Sequence, residues 1–215
     1  MTESFAGLVG PIFQYVVDLR EGFRRGEEPS PETVKRSLIK AFQRAQKGVA
    51  EAQAADFALA QYALVYWADE VLIKSSWRFA DSWKNSILEL EYFGTRRAAV
   101  DFWERAKQAE EQAQVRGRMP RSADALETFF FCVALGFRGE LFQDETELEV
   151  WSARVGPIIR DATPDPPPPA TAPQAGRGLV ELRGERMLVG ASLLVATTFV
   201  LTLLGFIAAV HHRST

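Results

Sequence analysis

The apolar run from Met187 to Val210 constrains the fold of this chain more than any other feature. Its 24 residues, MLVGASLLVATTFVLTLLGFIAAV, include no charged side chain. At about 1.5 Å per residue they make a helix of about 36 Å, which crosses a hydrocarbon core of about 30 Å with some tilt. A buried core helix is the alternative, but uninterrupted apolarity over this length, with Arg183 and Arg186 before the run and Arg213 after it, argues against it. The sequence therefore predicts one transmembrane helix over residues 187–210.

The arginines that flank this run predict its orientation. Arg177, Arg183 and Arg186 precede the run, whereas Arg213 alone follows it. Because Lys and Arg collect on the cytoplasmic side of a span, the larger group places the preceding domain in the cytoplasm. We expect a single-pass protein of a bacterial inner membrane, with residues 211–215 in the periplasm.

A proline-rich segment separates the predicted span from the rest of the chain. Residues 163–178 read TPDPPPPATAPQAGRG, and such sequences favour polyproline II at about 3.1 Å per residue. We interpret the segment as a spacer, and an SH3-type ligand at Pro166–Pro169 is the alternative. The predicted order is a helical domain at 1–162, this linker, a juxtamembrane segment at 179–186, the span at 187–210 and the tail at 211–215.

The charge and the rare residues exclude several function classes. Residues 163–215 hold four Arg and three acids, which leaves 21 basic and 25 acidic residues, a net charge of −4, on residues 1–162. A mildly acidic domain without a run of more than two Lys or Arg is unsuited to nucleic acid. His211 and His212 lie near the end of the sequence and Cys132 lies alone in an apolar run, so a histidine base, a catalytic triad and a zinc cluster lack their residues. We expect no catalytic residue, no metal and no cofactor.

Residues 1–162 show apolar residues at helical spacing and no sustained two-residue alternation, which predicts an all-α domain with almost no strand. Ser30 and Pro31 form an N-cap and a first-turn proline. Pro11 either starts or kinks the first helix, and glycine and proline supply most of the other breaks. The predicted helices, about seven in two packed sub-bundles, run from about residues 5 to 24, 31 to 48, 49 to 74, 82 to 93, 95 to 116, 122 to 135 and 145 to 156.

Asp69 and Glu70 are adjacent carboxylates in the longest of these helices, within YALVYWADEVLIKSSW. Neighbouring residues on a helix point about 100° apart, so both side chains cannot lie in the same core and at least one must face solvent or a groove. A solvated face or a local cap is one interpretation, and a partner-binding site is the other. Catalysis is disfavoured, because catalytic carboxylate pairs converge on a substrate and these two diverge.

A series of short motifs runs through the predicted domain. In chain order they are Tyr62-Ala63-Leu64, Asp69-Glu70, Trp77, Trp83, Leu88-Glu89 or Leu90-Glu91, Phe93-Gly94-Thr95, Phe102-Trp103, Leu126-Glu127 and Phe131-Cys132-Val133-Ala134-Leu135-Gly136-Phe137-Arg138-Gly139. Their order and spacing resemble those of the IcmH/DotU family over about residues 60 to 142. Ala99, Val100 and Leu141 depart from the family pattern.

The resemblance implies a noncatalytic scaffold subunit of a bacterial type VI secretion system, with an all-helical cytoplasmic domain and one C-terminal span. A type IVB subunit and a tail-anchored adaptor unrelated to secretion are the alternatives. The implied partners are an IcmF-like (TssM-like) inner-membrane protein and baseplate components (TssK-like and TssE-like). The resemblance also places Asp69 and Glu70 toward a cleft where such partners dock. A homodimer through the span is a further expectation.

Other residues of the motifs are expected to be structural. Gly136 and Gly139 accept positive φ without a Cβ clash and turn the chain, while Phe137 packs back onto the core. The motif aromatics are expected to be core residues. The structural signature comprises Trp77, Trp83, Phe93, Gly94, Gly136, Phe137 and Gly139. We expect reversal of both Asp69 and Glu70 to Lys to weaken baseplate binding without loss of helicity.

Overall fold

All regular secondary structure in the described part of the chain is helical. The structure, a computed structural model, describes residues 1–114, 122–139 and 145–162, which fall in the first of two units of the chain, Met1–Asp165. The helices are α1 (Glu3–Arg24), α2 (Pro31–Gly48), α3 (Ala54–Ile73), α4 (Ala80–Trp83), α5 (Leu88–Phe93), α6 (Ala98–Gln114), α7 (Asp124–Ala134) and α8 (Glu145–Ala162), with a 3-10 turn at Glu51–Gln53. The predicted all-α class is confirmed for these residues.

The predicted linker, juxtamembrane segment, span and tail lie outside the described residues, and so do Arg183, Arg186 and Arg213. Among the helices listed above, none combines the length and the apolarity that a membrane crossing requires. The proposed division of the chain after residue 162 therefore stays a prediction.

α2 begins where the sequence predicts. The Ser30 hydroxyl accepts a hydrogen bond from the Thr33 N–H at 3.3 Å, and Pro31 is the first helical residue. The cap satisfies one of the unpaired donors at the start of the helix, and the proline needs no donor there. α1 continues through Pro11, although the ring removes one backbone hydrogen bond.

α3 is the central helix of the bundle. Every residue from Ala63 to Asp69 is buried, because α1, α5, α6 and α7 all pack against this helix. Other helices pack on several sides of a helix that is apolar over most of its circumference, and together they form one core. The described helices share one core, whereas the sequence predicts two packed sub-bundles. Within it α2 packs mainly on α1, and α8 packs mainly on α6 and α7.

The fourth predicted helix, over residues 82–93, is interrupted in the structure. It consists of two short helices, α4 and α5, joined by a turn. The reason lies in the core, where Asp69 on α3 accepts the backbone N–H groups of Leu88 and Glu89 and so caps α5 from another helix. Asp81, directly before the predicted start of this helix, lies inside α4.

α8 extends beyond its predicted end. Gly156 and Pro157 are expected to terminate it, yet the helix continues to Ala162 with the proline inside. Ile158 and Ile159 are partly buried against the core, and this packing offsets the hydrogen bond that the proline removes. Burial of Ile158 and Ile159 therefore outweighs the tendency of Gly156 and Pro157 to end the helix.

Candidate functional site

Asp69 is buried and fully hydrogen-bonded. Its side chain is only 3% exposed. Its Oδ1 accepts hydrogen bonds from Trp83 Nε1 at 2.9 Å and from the Leu88 N–H at 2.9 Å, and its Oδ2 accepts one from the Glu89 N–H at 2.8 Å. The carboxylate therefore joins α3 to α4 and α5 and presents no face to solvent.

The interior changes the acidity of Asp69. Desolvation raises its pKa from 3.8 to about 6, against the opposing effect of the hydrogen bonds donated by Leu88, Glu89 and Trp83. Between these two pH values the folded chain holds a proton at Asp69 that the unfolded chain has released. The contribution of this group to stability is therefore fully present below about pH 3.8 and is lost as the pH rises through about 6.

This shift predicts a pH dependence that an Asp69→Asn variant lacks. Acidification from pH 7 to pH 5 is expected to raise the free energy of unfolding of the native chain by about 1 kcal/mol relative to the variant. Urea unfolding at both pH values, followed by tryptophan fluorescence, measures the difference. Equal pH dependence of the two proteins would contradict the assigned pKa.

Glu70 lies at the edge of a groove and holds the turn after α7. Its Oε1 accepts the Arg138 N–H at 3.0 Å, and its Oε2 accepts the Gly139 N–H at 3.1 Å. Lys74 Nζ lies 2.7 Å from Oε1, and the Glu70 side chain is 15% exposed. The two adjacent carboxylates thus point to different surroundings, as the 100° separation requires.

The turn that follows α7 has the conformation expected of its glycines. Gly136 has φ of 109° and Gly139 has φ of 55°, values that favour glycine because a Cβ would clash with the backbone. Phe137 between them is buried, and its ring stacks on Phe102 with centroids 3.8 Å apart. The Trp103 indole donates to the Arg138 carbonyl at 3.2 Å, so the turn is fixed against α6 as well as α3.

The remaining signature residues are packed into the same bundle. The Trp77 ring stacks on Phe23 with centroids 5.1 Å apart, and Phe93 stacks on Tyr62 at 4.0 Å. Gly94 ends α5 with φ of 67°. These contacts explain the residues by packing and chain direction, and none of them requires a ligand.

α1, α3 and the turn after α7 enclose a surface groove of about 370 Å³. We call it the Glu70 groove. It is lined by Arg20, Arg24, Glu70, Val71, Lys74, Ser75, Ser76, Leu135, Gly136 and Phe137. Three cations and one carboxylate meet here, so the groove is net positive. The Arg20 side chain donates a hydrogen bond from Nη1 to the Leu135 backbone carbonyl at 3.3 Å, and this bond joins α1 to the residue that follows α7.

The groove lining and its surroundings contain few acidic or nucleophilic groups. Glu70 is the one carboxylate in its lining, whereas acid–base hydrolysis of glycosides uses two. Within residues 1–114, 122–139 and 145–162, no three His, Cys, Asp or Glu side chains cluster as metal ligands. Cys132 is buried, and desolvation raises the pKa of its thiol well above its usual range, which suppresses the reactive thiolate.

Comparison with known protein families identifies the family of this chain. The family described as type VI secretion system protein DotU matches residues 4–213. The chain belongs to the DotU family. The match covers the described helices and the apolar run beyond them, and it confirms the resemblance that the motifs indicate. Membership of the DotU family assigns the chain to type VI secretion.

Solved structures of similar proteins agree with the DotU fold. The cytoplasmic domain of TssL from Acinetobacter baumannii is 25% identical, with a TM-score of 0.61 over 74% of this chain and 98% of its own. T6SS SciP/TssL from Escherichia coli Enteroaggregative 042 is 22% identical, with a TM-score of 0.56 over 80% of this chain and 98% of its own, and supports the fold alone. No curated protein has a sequence significantly similar to this chain.

Sequence reasoning did not identify the cations of this DotU groove. Arg20 and Arg24 are four residues apart and therefore share a face of α1, which is a signal that the sequence carries. The sequence does not show that this face meets Lys74 and Glu70 on α3. Glu89 was also missed as a structural acid: it is buried and accepts hydrogen bonds from the Thr95 hydroxyl at 2.7 Å and from the Arg97 N–H.

Proposed function

We propose that the chain is a noncatalytic scaffold subunit of a type VI secretion system in the bacterial inner membrane. In this proposal residues 1–162 lie in the cytoplasm, residues 187–210 span the membrane and residues 211–215 reach the periplasm. DotU membership supports the secretion role. The uncharged run and the excess of arginine before it support the topology.

The proposed partners lie on both sides of the helical domain. An IcmF-like (TssM-like) protein joins the chain in the membrane, and baseplate components (TssK-like and TssE-like) dock on the cytoplasmic helices. A homodimer through the span belongs to the same proposal, because Gly190 and Gly205 permit close approach of a second helix. DotU membership favours this role over a type IVB subunit and over an adaptor unrelated to secretion.

The Glu70 groove is the observation that carries the docking proposal. Its floor is apolar where Val71 and Leu135 line it, and Arg20, Arg24 and Lys74 make its rim basic. A groove of this kind accepts a projecting partner segment with an apolar side chain and net negative charge. We therefore propose that the baseplate presents an acidic surface here.

The structure changes how the acidic pair acts in this proposal. Glu70 fixes the groove wall that the partner contacts, whereas Asp69 positions α5 from the interior. Reversal of both residues to Lys is consequently a poor test, because Lys at position 69 buries a cation among three N–H donors and unfolds the site. The expectation that the double variant keeps its helicity conflicts with this burial.

A single charge reversal tests the groove without disturbing the core. Arg24→Glu removes a rim cation whose side chain is 65% exposed and whose salt bridge is to exposed Glu21. We expect co-purification of baseplate components with the tagged chain from native membranes to fall about three- to tenfold. The loss should shrink as salt is added, because screening weakens attraction between exposed charges.

Arg25→Glu is the matched control for this experiment. Arg25 follows Arg24, is 64% exposed, and pairs with the exposed Glu27, but it does not line the groove. Both variants change the net charge equally, so only Arg24→Glu should reduce capture. Equal capture by Arg24→Glu and the native chain would argue against docking at the Glu70 groove.

A further inference from the structure

A second charged surface lies on α2. Arg36, Lys40, Arg44 and Lys47 are all exposed, and their spacing of four, four and three residues places them on one side of the helix. We call these four residues the basic face. The basic face is not visible as a charge run in the sequence, because no two of the four residues are adjacent.

The basic face has few acids on its own helix. Glu32 is the one acid of α2, and it lies one turn before Arg36, at the start of the helix. Within the described residues, Lys40, Arg44 and Lys47 form no salt bridge. The face is thus a local concentration of positive charge on a domain whose net charge is −4.

A groove between α1 and α2 adjoins the basic face. Its volume is about 470 Å³, and its lining comprises Gly7, Leu8, Pro11, Tyr15, Ser37, Lys40, Ala41, Arg44 and Ala45. The lining includes two cations of the basic face and no acid. Apolar, aromatic and hydroxyl groups beside cations match the chemistry of the lipid headgroup region.

We propose that the basic face binds the anionic phospholipid surface of the membrane in which the chain is anchored. This inference rests on the proposed inner-membrane topology. Residues 163–186 connect the helical domain to the predicted span, and these 24 residues would reach about 75 Å at the polyproline II rise of about 3.1 Å per residue. The domain therefore stays within reach of the lipid surface, and anionic headgroups are the most concentrated negative partner available to it.

The shape of the surface favours lipid over an acidic protein. The four cations project from the outside of one helix on long, flexible side chains, a form suited to many mobile headgroups. A protein partner of comparable affinity usually fills a central pocket with aromatic or arginine anchors. Two of the four cations, Lys40 and Arg44, line the adjoining groove, whereas Arg36 and Lys47 lie outside its lining, so the positive charge extends along the helix instead of surrounding one pocket.

Membrane contact at the basic face leaves the Glu70 groove accessible. Tyr15 lines the groove with α2, and Arg24 lines the Glu70 groove. The two residues are nine positions apart, which at about 100° per residue puts them on opposite sides of α1. A domain that rests on lipid through α2 therefore turns the Glu70 groove toward the cytoplasm, where a baseplate approaches.

Energy transfer in lipid nanodiscs tests the proposal with the full chain. Gln43 is exposed on the basic face, so Gln43→Cys carries a fluorescent donor without loss of charge, while buried Cys132 stays unlabelled. The acceptor is a headgroup-labelled lipid. We expect transfer to be stronger in discs containing phosphatidylglycerol than in pure phosphatidylcholine discs, with each cation increasing contact about fivefold. A donor at Ser76→Cys, in the Glu70 groove, should show the opposite or no change.

Two charge-matched variants supply the controls. The quadruple change Arg36→Gln, Lys40→Gln, Arg44→Gln and Lys47→Gln is expected to abolish the dependence on phosphatidylglycerol. Four exposed cations elsewhere, changed as Arg25→Gln, Lys84→Gln, Arg97→Gln and Arg154→Gln, should leave it intact. Salt at 0.5 M, which screens charges, is likewise expected to remove the dependence.

The outcomes separate this inference from the proposed function. Transfer that is independent of phosphatidylglycerol, or that survives the quadruple change, overturns the lipid contact while leaving the secretion role in place. If the native chain captures baseplate components and the quadruple variant does not, the basic face binds an acidic protein instead of lipid. A chain that enters discs of neither composition overturns both the predicted span and the lipid contact.

Discussion

Replacement of Asp69 by Ala is expected to lower the free energy of unfolding by about 4 kcal/mol. The substitution leaves three buried donors without an acceptor, namely Trp83 Nε1 and the N–H groups of Leu88 and Glu89. Each unpaired buried donor costs about 1 to 3 kcal/mol, and the protein cannot admit water cheaply at a site this enclosed. The effect should be larger than that of Asp69→Asn, whose amide oxygen still accepts part of these bonds.

Tryptophan fluorescence is the suitable measurement because all five Trp of the chain lie within residues 1–162. Urea unfolding of the detergent-solubilised chain therefore reports on the helical domain without a signal from the predicted span. Asp81→Ala is the control, since the Asp81 side chain is 93% exposed and pairs with Lys84, and it should leave the urea midpoint unchanged. A small shift for Asp69→Ala would show that the core admits water or that α5 needs no cap.

Local signals predict the helices whose ends depend on local residues. α2 is the clearest case, because Ser30 and Pro31 act within the first turn and the structure confirms both. The break between α4 and α5 could not be predicted, since its cause is the carboxylate of Asp69, 19 and 20 positions before the N–H groups that it accepts. The extension of α8 past Pro157 depends on the core in the same way.

The candidate site shows the same division between local and distant causes. Helix geometry requires Asp69 and Glu70 to diverge, and they do. Which of the two lies inside depends on α5 and on the turn after α7, and the donors to Glu70 lie 68 and 69 positions further along the chain. Single-sequence reasoning therefore identified the pair and its motifs, but it did not identify Arg20 and Arg24, which line the opposite wall of the groove.

Asp69 and Glu70 each hold in place an element of the domain that is proposed to dock the baseplate. Asp69 fixes α5 to α3, and Glu70 fixes the turn that forms one wall of the groove. A binding surface built from elements held by buried hydrogen bonds loses little entropy when a partner docks. Substitutions that loosen the turn should therefore weaken docking even where they do not touch a partner.

Gly139→Ala is expected to destabilise the helical domain by about 3 kcal/mol, from backbone strain and overpacking together. The residue has φ of +55°, which costs an alanine about 1 kcal/mol. In addition, an added Cβ lies 2.8 Å from the Ala99 carbonyl oxygen and 3.0 Å from the Phe137 ring. The carbonyl belongs to α6 and the ring is stacked on Phe102, so neither can retreat without repacking. Displacement of the turn also weakens the hydrogen bond from the Gly139 N–H to Glu70.

Gly94→Ala separates the two causes, because Gly94 has a similar φ of +67° but no atom within 4 Å of an added Cβ. This variant should lose only the conformational part, about 1 kcal/mol, and should keep native capture of baseplate components. Gly139→Ala should lose both stability and capture, since Glu70 then no longer fixes the wall of its groove. Equal destabilisation by the two variants would mean that α6 yields to the new methyl group. Retained capture in Gly139→Ala would in turn show that docking does not depend on the geometry of this turn.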